Sequence, residues 1–339
     1  MRIVFTGASG VLGQAVLPLL AGHHVTALAR TRRPDGVADV VQGDLAAAHF
    51  GLGRSDFLRL AHRTDVIVHC GAVVSFGAEP ELVEATNVGG TRTVVELARL
   101  AGARLVHVST AYVGRRPGRP GAAASTTVTP DRYVASKQAG EEVVTSSGVP
   151  YTIVRPSIIV GDSLTGQIAQ FQGLHEFAAG LLTGRFPFIP ISPEAYVDFV
   201  PQDVSARVIR DAVESPVHDF GQDPARWVTA GASALSGQRL VDMIVAKADS
   251  AGFPIPPPRL VDPDAVDRLL RPAFFGLLPE RDRRRFDNLL AMTSLFFTHD
   301  PLPSTIDISR QDVEDAWSVS LDHVIDARLA PSTTSRRPA

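Results

Sequence analysis

The chain has 339 residues, a formal net charge of −3 at pH 7 and 45% hydrophobic residues, which is enough for one large or two modest domains with an ample core. This near-neutral charge gives no reason to expect nucleic acid or a charged membrane surface as a partner. The single cysteine, the absence of metal-ligand spacing among the ten histidines and the lack of any apolar run of about 18 residues predict a cytoplasmic protein with no metal ion and no transmembrane segment.

A strand, a glycine turn and a helix open the chain. Residues 2–5 predict a short buried strand, and residues 11–20 a helix that Pro18 shortens or kinks. Between them, the glycines of TGASGVLG permit a tight turn, backbone approach to a pyrophosphate and close packing of helix on strand. An ordinary glycine turn is the alternative. If the turn binds a nucleotide, we expect its phosphates at the helix N-terminus, against Thr6, Gly7, Ser9, Gly10, Val11, Leu12 and Gly13.

The end of the second strand indicates which dinucleotide is bound. The strand His24–Ala29 is followed by Arg30, where an NAD-selective fold usually carries Asp or Glu to accept the ribose hydroxyl. Arg30, with Arg32 or Arg33, can instead pair with a 2′-phosphate. The chain is rich in arginine, so a chance arginine is the alternative. We favour NADP(H) over NAD(H).

Strands and helices then alternate along the first half. Further strands are predicted at residues 37–42, 65–69, 104–108 and 151–155, and helices at residues 80–101 and 131–145. Repeated strand–helix units of this length predict a Rossmann-type, doubly wound parallel α/β sheet. Ligands of such sheets bind beyond the carboxyl ends of the strands.

Tyr133 and Lys137 are a candidate pair for proton transfer. Only two of the 33 basic residues are lysines, and Lys137 lies four residues after one of only four tyrosines. On a helix this spacing places both side chains on one face. An ammonium beside a phenol lowers the tyrosine pKa from about 10 and makes it a general acid for carbonyl reduction or a general base for alcohol oxidation. A surface helix with a chance Tyr and Lys is the alternative.

The ordered set of motifs resembles a known family, the extended short-chain dehydrogenases/reductases. The resemblance covers residues 1–205 and is carried by TGASGVLG, GDL, HCGA, NVGGT, VST, YVASK and VRPSIIVG. It implies that Thr110 orients the substrate carbonyl, with Ser109 as the alternative, that Tyr133 donates the proton, and that Lys137 holds the nicotinamide ribose. It also implies cofactor contacts or support from Asp44, Leu45, Gly71, Ala72, Asn87 and Pro156. The family more often has alanine at Gly71, and we expect glycine there to cost nothing sterically and to leave the resemblance intact.

Two stretches point to a branch of that family. HCGAVVSF followed by residues 86–88, and residues 196–204, resemble fatty acyl-CoA and thioester reductases. This implies NADPH-dependent reduction of an acyl thioester, on coenzyme A or a carrier, to an aldehyde or alcohol. The alternatives are a nucleotide-sugar epimerase or dehydratase, a ketone or steroid-type reductase, and a non-catalytic NADP-binding sensor. The oligomeric state is left open, with a homodimer as one expectation.

The second half is expected to build the substrate side. We expect an NADP-binding domain over residues 1–160, to which residues 195–232 return, a substrate region over residues 161–330, and a disordered tail over residues 331–339. Helices are predicted at residues 166–182 and 236–250, a strand at 226–230 and a stiff linker at 254–258. Three further features keep open alternatives. The turn at residues 186–190 is either a pocket wall or a packing corner. The apolar stretches 272–278 and 289–297 are a lid or acyl-chain groove, a membrane-touching surface, or plain core helices, and the arginines at 281 and 283–285 either receive the phosphates of a coenzyme A or carrier arm or form a solvated charged face.

Overall fold

A seven-stranded parallel sheet organises the protein. The computed structural model describes residues 1–75, 77–114, 130–184, 186, 188–215, 225–266, 268 and 280–328. The strands of the sheet are β1 Arg2–Thr6, β2 His24–Ala29, β3 Asp39–Gln42, β4 Val66–His69, β5 Arg104–Val108, β6 Tyr151–Pro156 and β11 Ala225–Val228. Their spatial order is β11-β6-β5-β4-β1-β2-β3, and every pair is parallel. The predicted Rossmann-type α/β fold is confirmed.

Helices cover both faces of this sheet. They are α1 Val11–Val16, α2 Arg54–His62, α3 Pro80–Val83, α4 Gly90–Ala101, α5 Pro130–Thr145 and α7 Gln202–Glu214. Successive strand residues point to opposite faces, so Ile3 and Phe5 pack with α1 and α7, whereas Val4 packs with α2, α4 and α5. Helix α1 ends at Val16 and continues as a 3₁₀ turn over Leu17–Leu20, because proline cannot donate the next α-helical hydrogen bond.

A π-helical segment interrupts the helix predicted over residues 80–101. Helix α3 is followed by the π segment Glu84–Gly89 and then by α4. A π segment widens one turn of a helix and is frequent at functional sites. Asn87 lies inside it and is buried.

The second half adds small sheets and a helical cluster. Its strands are β7 Ile158–Val160, β8 Phe188–Ile189, β9 Tyr196–Val197, β10 Phe199–Pro201, β12 Leu235–Ser236, β13 Arg259–Leu260 and β14 Phe297–Thr298. Its helices are α6 Gly173–Leu182, α8 Gly237–Ser250, α9 Pro263–Ala265, α10 Glu280–Phe296 and α11 Arg310–Arg328. Helices α6, α8 and α11 pack around the fully buried Trp317. None of the helices in the described ranges has the length and apolar character to cross a bilayer.

The helix predicted over residues 166–182 is shorter than expected. Gly166 has a φ of +67°, a conformation that does not continue a right-handed helix. The Asp162 carboxylate accepts the Leu164 and Thr165 amides at 3.1 and 3.0 Å and so stabilises a loop. Helix α6 therefore begins only at Gly173. The apolar stretch 272–278 and the tail 331–339 lie outside the described residues.

Candidate active site

The glycine turn lies at the carboxyl end of β1, as predicted. Gly7 has a φ of +78°, and a Cβ there would lie 2.5 Å from the Gly71 amide nitrogen. The Gly10 amide donates to the Gly7 carbonyl at 3.0 Å, and a Cβ at Gly13 would collide with the Gly7 carbonyl. Glycine is therefore required where strand, turn and helix meet. Ser9, Val11 and Leu12 belong to the same turn and first helical residues.

The turn fits the phosphates of a dinucleotide. The N-terminus of α1 has no side-chain cap, so no side chain competes with an anion for its first amides. After the next two strands, the Arg30 guanidinium, which follows β2, lies 3.9 Å from the Asp44 carboxylate, which follows β3, and both side chains are exposed. Arg33 donates to the Ala38 carbonyl at 2.7 Å, so its guanidinium is held against the loop that precedes β3. Arg30 is thus the better placed of these two arginines to meet a 2′-phosphate.

Gly71 lies close to Leu45 and to the Thr6 hydroxyl, and the absence of a side chain there leaves room for both. A Cβ at this position would lie 2.5 Å from Leu45 Cδ1 and 3.1 Å from the Thr6 hydroxyl. An alanine would therefore require Leu45 to move. Leu45, Gly71 and the turn after β1 are in direct contact, which places three predicted cofactor positions side by side; Ala72 follows Gly71 in the chain.

A buried histidine links β1, β4 and the central helix. His69 Nδ1 lies 2.7 Å from the Thr6 hydroxyl, and its Nε2 lies 3.0 Å from the Thr91 hydroxyl. Thr91 donates to the Asn87 carbonyl at 2.6 Å, and Thr6 accepts the Gly71 amide at 3.2 Å. Because Thr91 has used its proton, it must accept from His69, which fixes the Nε2–H tautomer. Burial lowers the pKa of His69 to about 3, so the ring stays neutral.

This link through His69 and Thr91 was not predicted from the sequence. The available signal was a histidine that ends a strand otherwise made of valine and isoleucine, followed by a threonine in NVGGT. Polar side chains at the end of a buried strand need partners. The sequence does not show which element supplies those partners.

Asn87 connects the loop after β4 to the helix that carries Tyr133. Its side-chain oxygen accepts the Val73 amide at 2.8 Å, and its nitrogen donates to the Val73 carbonyl at 3.0 Å and the Ser136 hydroxyl at 2.9 Å. Ser136 in turn donates to the Tyr133 carbonyl at 2.7 Å. Of these four hydrogen bonds, two tie the loop after β4 to the π segment, and the one between Asn87 and Ser136 ties the π segment to α5.

Thr110, Tyr133 and Lys137 meet beyond the carboxyl end of β5. Thr110 is buried, and its side chain is hydrogen-bonded to that of the half-buried Tyr133. The buried Lys137 donates to the carbonyl of Val108, the last residue of β5, at 2.8 Å. The Ser109 hydroxyl is also buried, but within the described part of the chain it has no hydrogen-bond partner. The geometry therefore brings Thr110, and not Ser109, to the tyrosine.

The pKa values of this pair differ from the sequence-based expectation. Burial raises the pKa of Tyr133 to about 12, although the hydrogen bond with Thr110 acts in the opposite direction. Burial also lowers the pKa of Lys137 to about 8, against the attraction of Cys70 and Glu141. The predicted lowering of the tyrosine pKa by Lys137 is thus wrong for the protein alone, because desolvation of the phenol dominates. Lys137 remains protonated at pH 7.

A buried ion pair anchors α5 to β6. Arg155 donates to both carboxylate oxygens of Glu141, from Nε at 2.9 Å and from Nη2 at 2.6 Å, and its guanidinium lies 4.6 Å from the centre of the Trp227 ring. Glu141 lies one helical turn after Lys137. Pro156, the remaining predicted cofactor position, is buried at the carboxyl end of the same strand.

The last turn of α10 forms an apolar wall beside Tyr133. Leu295 and Phe296 pack in one cluster with Tyr133, Tyr112 and Ile158, and the rings of Tyr112 and Phe296 meet edge to face at 5.2 Å. Part of the stretch 289–297 is therefore both a helix that contributes to the core and a wall of the site. The sequence shows its apolar character, but not that it packs against Tyr133 of α5.

The two acidic residues of the stretch 196–204 are structural anchors. The buried Asp198 accepts the Ala230 and Gly231 amides at 2.9 and 2.8 Å, and burial raises its pKa to about 6. Asp203 accepts the amide and the hydroxyl of Ser163, each at 2.9 Å. Both carboxylates join segments of the second half that lie far apart in sequence.

The remaining expectations for the second half are partly resolved. Phe186 stacks on Phe177 of α6 with ring centres 6.2 Å apart, as in a packing corner, and residue 187 lies outside the described residues. Arg283 is exposed on α10, while the side chains at 281, 284 and 285 are not among those described. Within the described ranges, no three His, Cys, Asp or Glu side chains are grouped so that they can hold a metal ion.

Fold and site together define an NAD(P)-dependent oxidoreductase of the extended short-chain dehydrogenase/reductase type. Residues 36–209 match the family model described as male sterility protein, and the chain belongs to this family. A dTDP-4-dehydrorhamnose reductase of Mycobacterium tuberculosis is 30% identical over 281 residues, which cover 76% of this chain and 82% of that reductase.

Multidomain synthetases also contain a similar segment. A hybrid PKS-NRPS synthetase of Talaromyces variabilis is 30% identical over 236 residues, which cover 62% of this chain but only 6% of the synthetase. The chain thus spans a small part of the length of such relatives. The crystal structure of the terminal R domain from the myxalamid PKS-NRPS biosynthetic pathway superimposes with a TM-score of 0.68, covering 97% of this chain and 92% of that domain, at 22% identity. That likeness concerns the fold.

Proposed function

We propose that the chain uses NADPH to reduce the carbonyl of an acyl thioester to an aldehyde, with Thr110, Tyr133 and Lys137 as its catalytic residues. The observation that carries the proposal is the hydrogen bond between the Thr110 and Tyr133 side chains, with Lys137 fixed one helical turn away by the Val108 carbonyl. Similarity to the PKS-NRPS synthetases supports a thioester on a carrier or on coenzyme A.

The proposed mechanism gives each part of the site one role. When bound, NADPH supplies the hydride, and the glycine turn after β1 with Arg30 would hold its phosphates. Thr110 and Tyr133 would donate hydrogen bonds to the substrate oxygen as negative charge develops there. Tyr133 would then release its proton to that oxygen, and the Lys137 ammonium would stabilise the phenolate left behind.

The stoichiometry of the first reduction follows from this chemistry. One acyl thioester, one NADPH and one proton give one hemithioacetal, which collapses to an aldehyde and a thiol, and NADP⁺ is released. A phenol whose pKa is about 12 holds its proton at pH 7 until charge develops on the substrate oxygen. Tyr133 therefore suits the role of general acid in carbonyl reduction better than the role of general base in alcohol oxidation, because a base must first lose its proton.

A second candidate function is reduction of a nucleotide-linked keto sugar. It is favoured by the match to a dTDP-4-dehydrorhamnose reductase over most of both chains. The surroundings of Tyr133 argue against it, because Leu295, Phe296 and Ile158 offer apolar surface where sugar hydroxyls need hydrogen-bond partners. A non-catalytic NADP sensor is disfavoured, because Thr110, Tyr133 and Lys137 are all present. Thr110 is hydrogen-bonded to Tyr133, and Tyr133 and Lys137 lie one turn apart on α5.

The test is NADPH oxidation by the purified chain with acetyl, butyryl and octanoyl thioesters of coenzyme A and N-acetylcysteamine. NADH, dTDP-linked keto sugars and simple ketones serve as comparison reactants. We expect thioester-dependent oxidation of NADPH and one trapped aldehyde or alcohol per thiol released. Turnover of the keto sugar or ketones with no thiol release from any thioester would overturn the thioester assignment.

A further inference from the structure

A small apolar cavity lies between α6 and α10, next to the Tyr133 site. Its volume is about 10 Å³, close to the space that one water molecule needs. Five residues line it away from the active site: Gly173, Leu174, Phe177, Met292 and Phe297. Each of these is a glycine or an apolar residue, so a water molecule inside would find few partners. Such a cavity suits a hydrocarbon better than a polar group.

Two shared residues join this cavity to the catalytic tyrosine. Ile158 and Phe296 complete the cavity lining, and both also pack in the cluster that contains Tyr133. Both shared side chains are apolar, so the contact between the Tyr133 cluster and the cavity is apolar. A substrate with its carbonyl at Tyr133 would extend its acyl chain past these two side chains to reach the cavity.

Met292 is the adaptable part of the lining. Its unbranched thioether side chain has three rotatable bonds and repacks easily, and the residue is only partly buried. A Cβ placed on Gly173 would lie 3.4 Å from the Met292 sulfur, an ordinary contact distance. The width of the cavity is thus set by the missing side chain at position 173 and by the rotamer of Met292.

We propose that this cavity, the acyl cavity, receives the distal end of an aliphatic acyl chain when Met292 moves aside, and that Gly173 sets the chain length. The proposal rests on the proposed function, because it assumes that the substrate carbonyl lies at Tyr133. It assigns a medium-chain, uncharged acyl group to the substrate. Each methylene that the cavity buries is expected to raise kcat/KM about fourfold.

Methionine methyl NMR tests the cavity without turnover. The chain has three methionines: Met1 is exposed, Met243 packs in the second-half core, and Met292 lines the cavity. With ¹³C-methyl methionine, NADP⁺ and octanoyl-N-acetylcysteamine, we expect a shift of the Met292 signal only, assigned by its loss in Met292→Leu. Acetyl-N-acetylcysteamine should leave it in place. An unmoved Met292 signal under saturating octanoyl thioester would overturn the proposal.

Kinetics of one variant supplies the second readout. Gly173→Val places three carbons in the cavity, so the octanoyl-to-butyryl ratio of kcat/KM should fall at least tenfold. Gly22→Val is the matched control, because Gly22 has open space around its Cβ position. An unchanged octanoyl-to-butyryl ratio in a folded Gly173→Val would place the acyl chain elsewhere.

Failure of the cavity proposal is distinguishable from failure of the proposed function. If no thioester is reduced, the NMR titration is repeated with 1-octanol, which presents the hydrocarbon chain without a thioester. A shift of the Met292 methyl signal then still supports an apolar ligand site, although the proposed thioester reduction is refuted. No shift with octanol overturns the cavity as well.

Discussion

Removal of Glu141 should destabilise the protein far more than removal of a geometrically matched carboxylate at the surface. The Glu141 and Arg155 side chains are 9% and 19% exposed, and Arg155 makes two short hydrogen bonds to Glu141. Glu141→Ala leaves the guanidinium largely buried without its partner, a change that typically costs 3–5 kcal/mol. Because Arg155 keeps some exposure and its contact with Trp227, we expect about 3 kcal/mol, the lower end of that range.

The Arg239–Glu314 pair is the control, since its geometry is the same and its surroundings differ. Its two hydrogen bonds are also 2.9 and 2.6 Å long, but the Arg239 side chain is 48% exposed. Exposed pairs contribute about 0–1 kcal/mol, so Glu314→Ala should change the free energy of unfolding by no more than about 1 kcal/mol.

The assay is equilibrium unfolding in urea, followed by tryptophan fluorescence and circular dichroism. Trp227 lies against Arg155 and Trp317 in the second-half core, so the two indoles report on both halves of the chain. The double variant Glu141→Leu, Arg155→Met should regain most of the lost stability, because no charge remains buried. Equal losses for Glu141→Ala and Glu314→Ala, or a loss below about 1 kcal/mol for Glu141→Ala, would refute this reasoning.

Three further predictions concern the cofactor and pH. Arg30→Ala should lower kcat/KM for NADPH about tenfold or more, because one charged hydrogen-bonding partner of the 2′-phosphate is lost, and it should leave kcat/KM for NADH unchanged. Equal effects on both cofactors would show that Arg30 does not contact the 2′-phosphate. Turnover should fall as pH rises through about 8, because Lys137 then loses its proton; a constant rate to pH 10 would contradict this. Stability should fall as pH is lowered from about 6.5 towards 4, because burial lowers the pKa of His175 to about 4 and only the unfolded ring binds the proton, a loss of about 3 kcal/mol when complete. His175→Leu should make that slope shallower by this share in urea titrations, while the buried His69, whose pKa is also lowered, keeps part of it.

The sequence predicts those parts of the site that depend on local spacing. TGASGVLG places its glycines between a strand and a helix, and the glycine at position 7 is required there by backbone contact. Tyr133 and Lys137 share a helix face because they are four residues apart. Thr110 joins them because it follows a parallel strand, and the carboxyl ends of parallel strands meet at one edge of the sheet.

The rest depends on contacts between segments that lie far apart in sequence. The crowding of Gly71 by Leu45 and the hydrogen-bonded path from Thr6 through His69 to Asn87 arise only when three elements pack together. The raised pKa of Tyr133 likewise reflects burial, and the sequence does not reveal that the last turn of α10 packs in the same cluster as this tyrosine. Helix α6 begins late because the Asp162 carboxylate accepts the Leu164 and Thr165 amides and holds this segment as a loop. The spacing of apolar residues does not predict these hydrogen bonds.

The most direct measurement of the central claim compares Tyr133→Phe with Tyr151→Phe. Tyr151 lies on β6 and packs in the core cluster formed by α2, α4 and α5, so it controls for loss of a phenol outside the site. NADPH binding is followed by fluorescence titration, and hydride transfer to octanoyl-coenzyme A by single-turnover absorbance. We predict that both variants bind NADPH as wild type does and that only Tyr133→Phe loses hydride transfer, by at least a hundredfold. Transfer at near wild-type rate by Tyr133→Phe would contradict the assignment of Tyr133 as the acid.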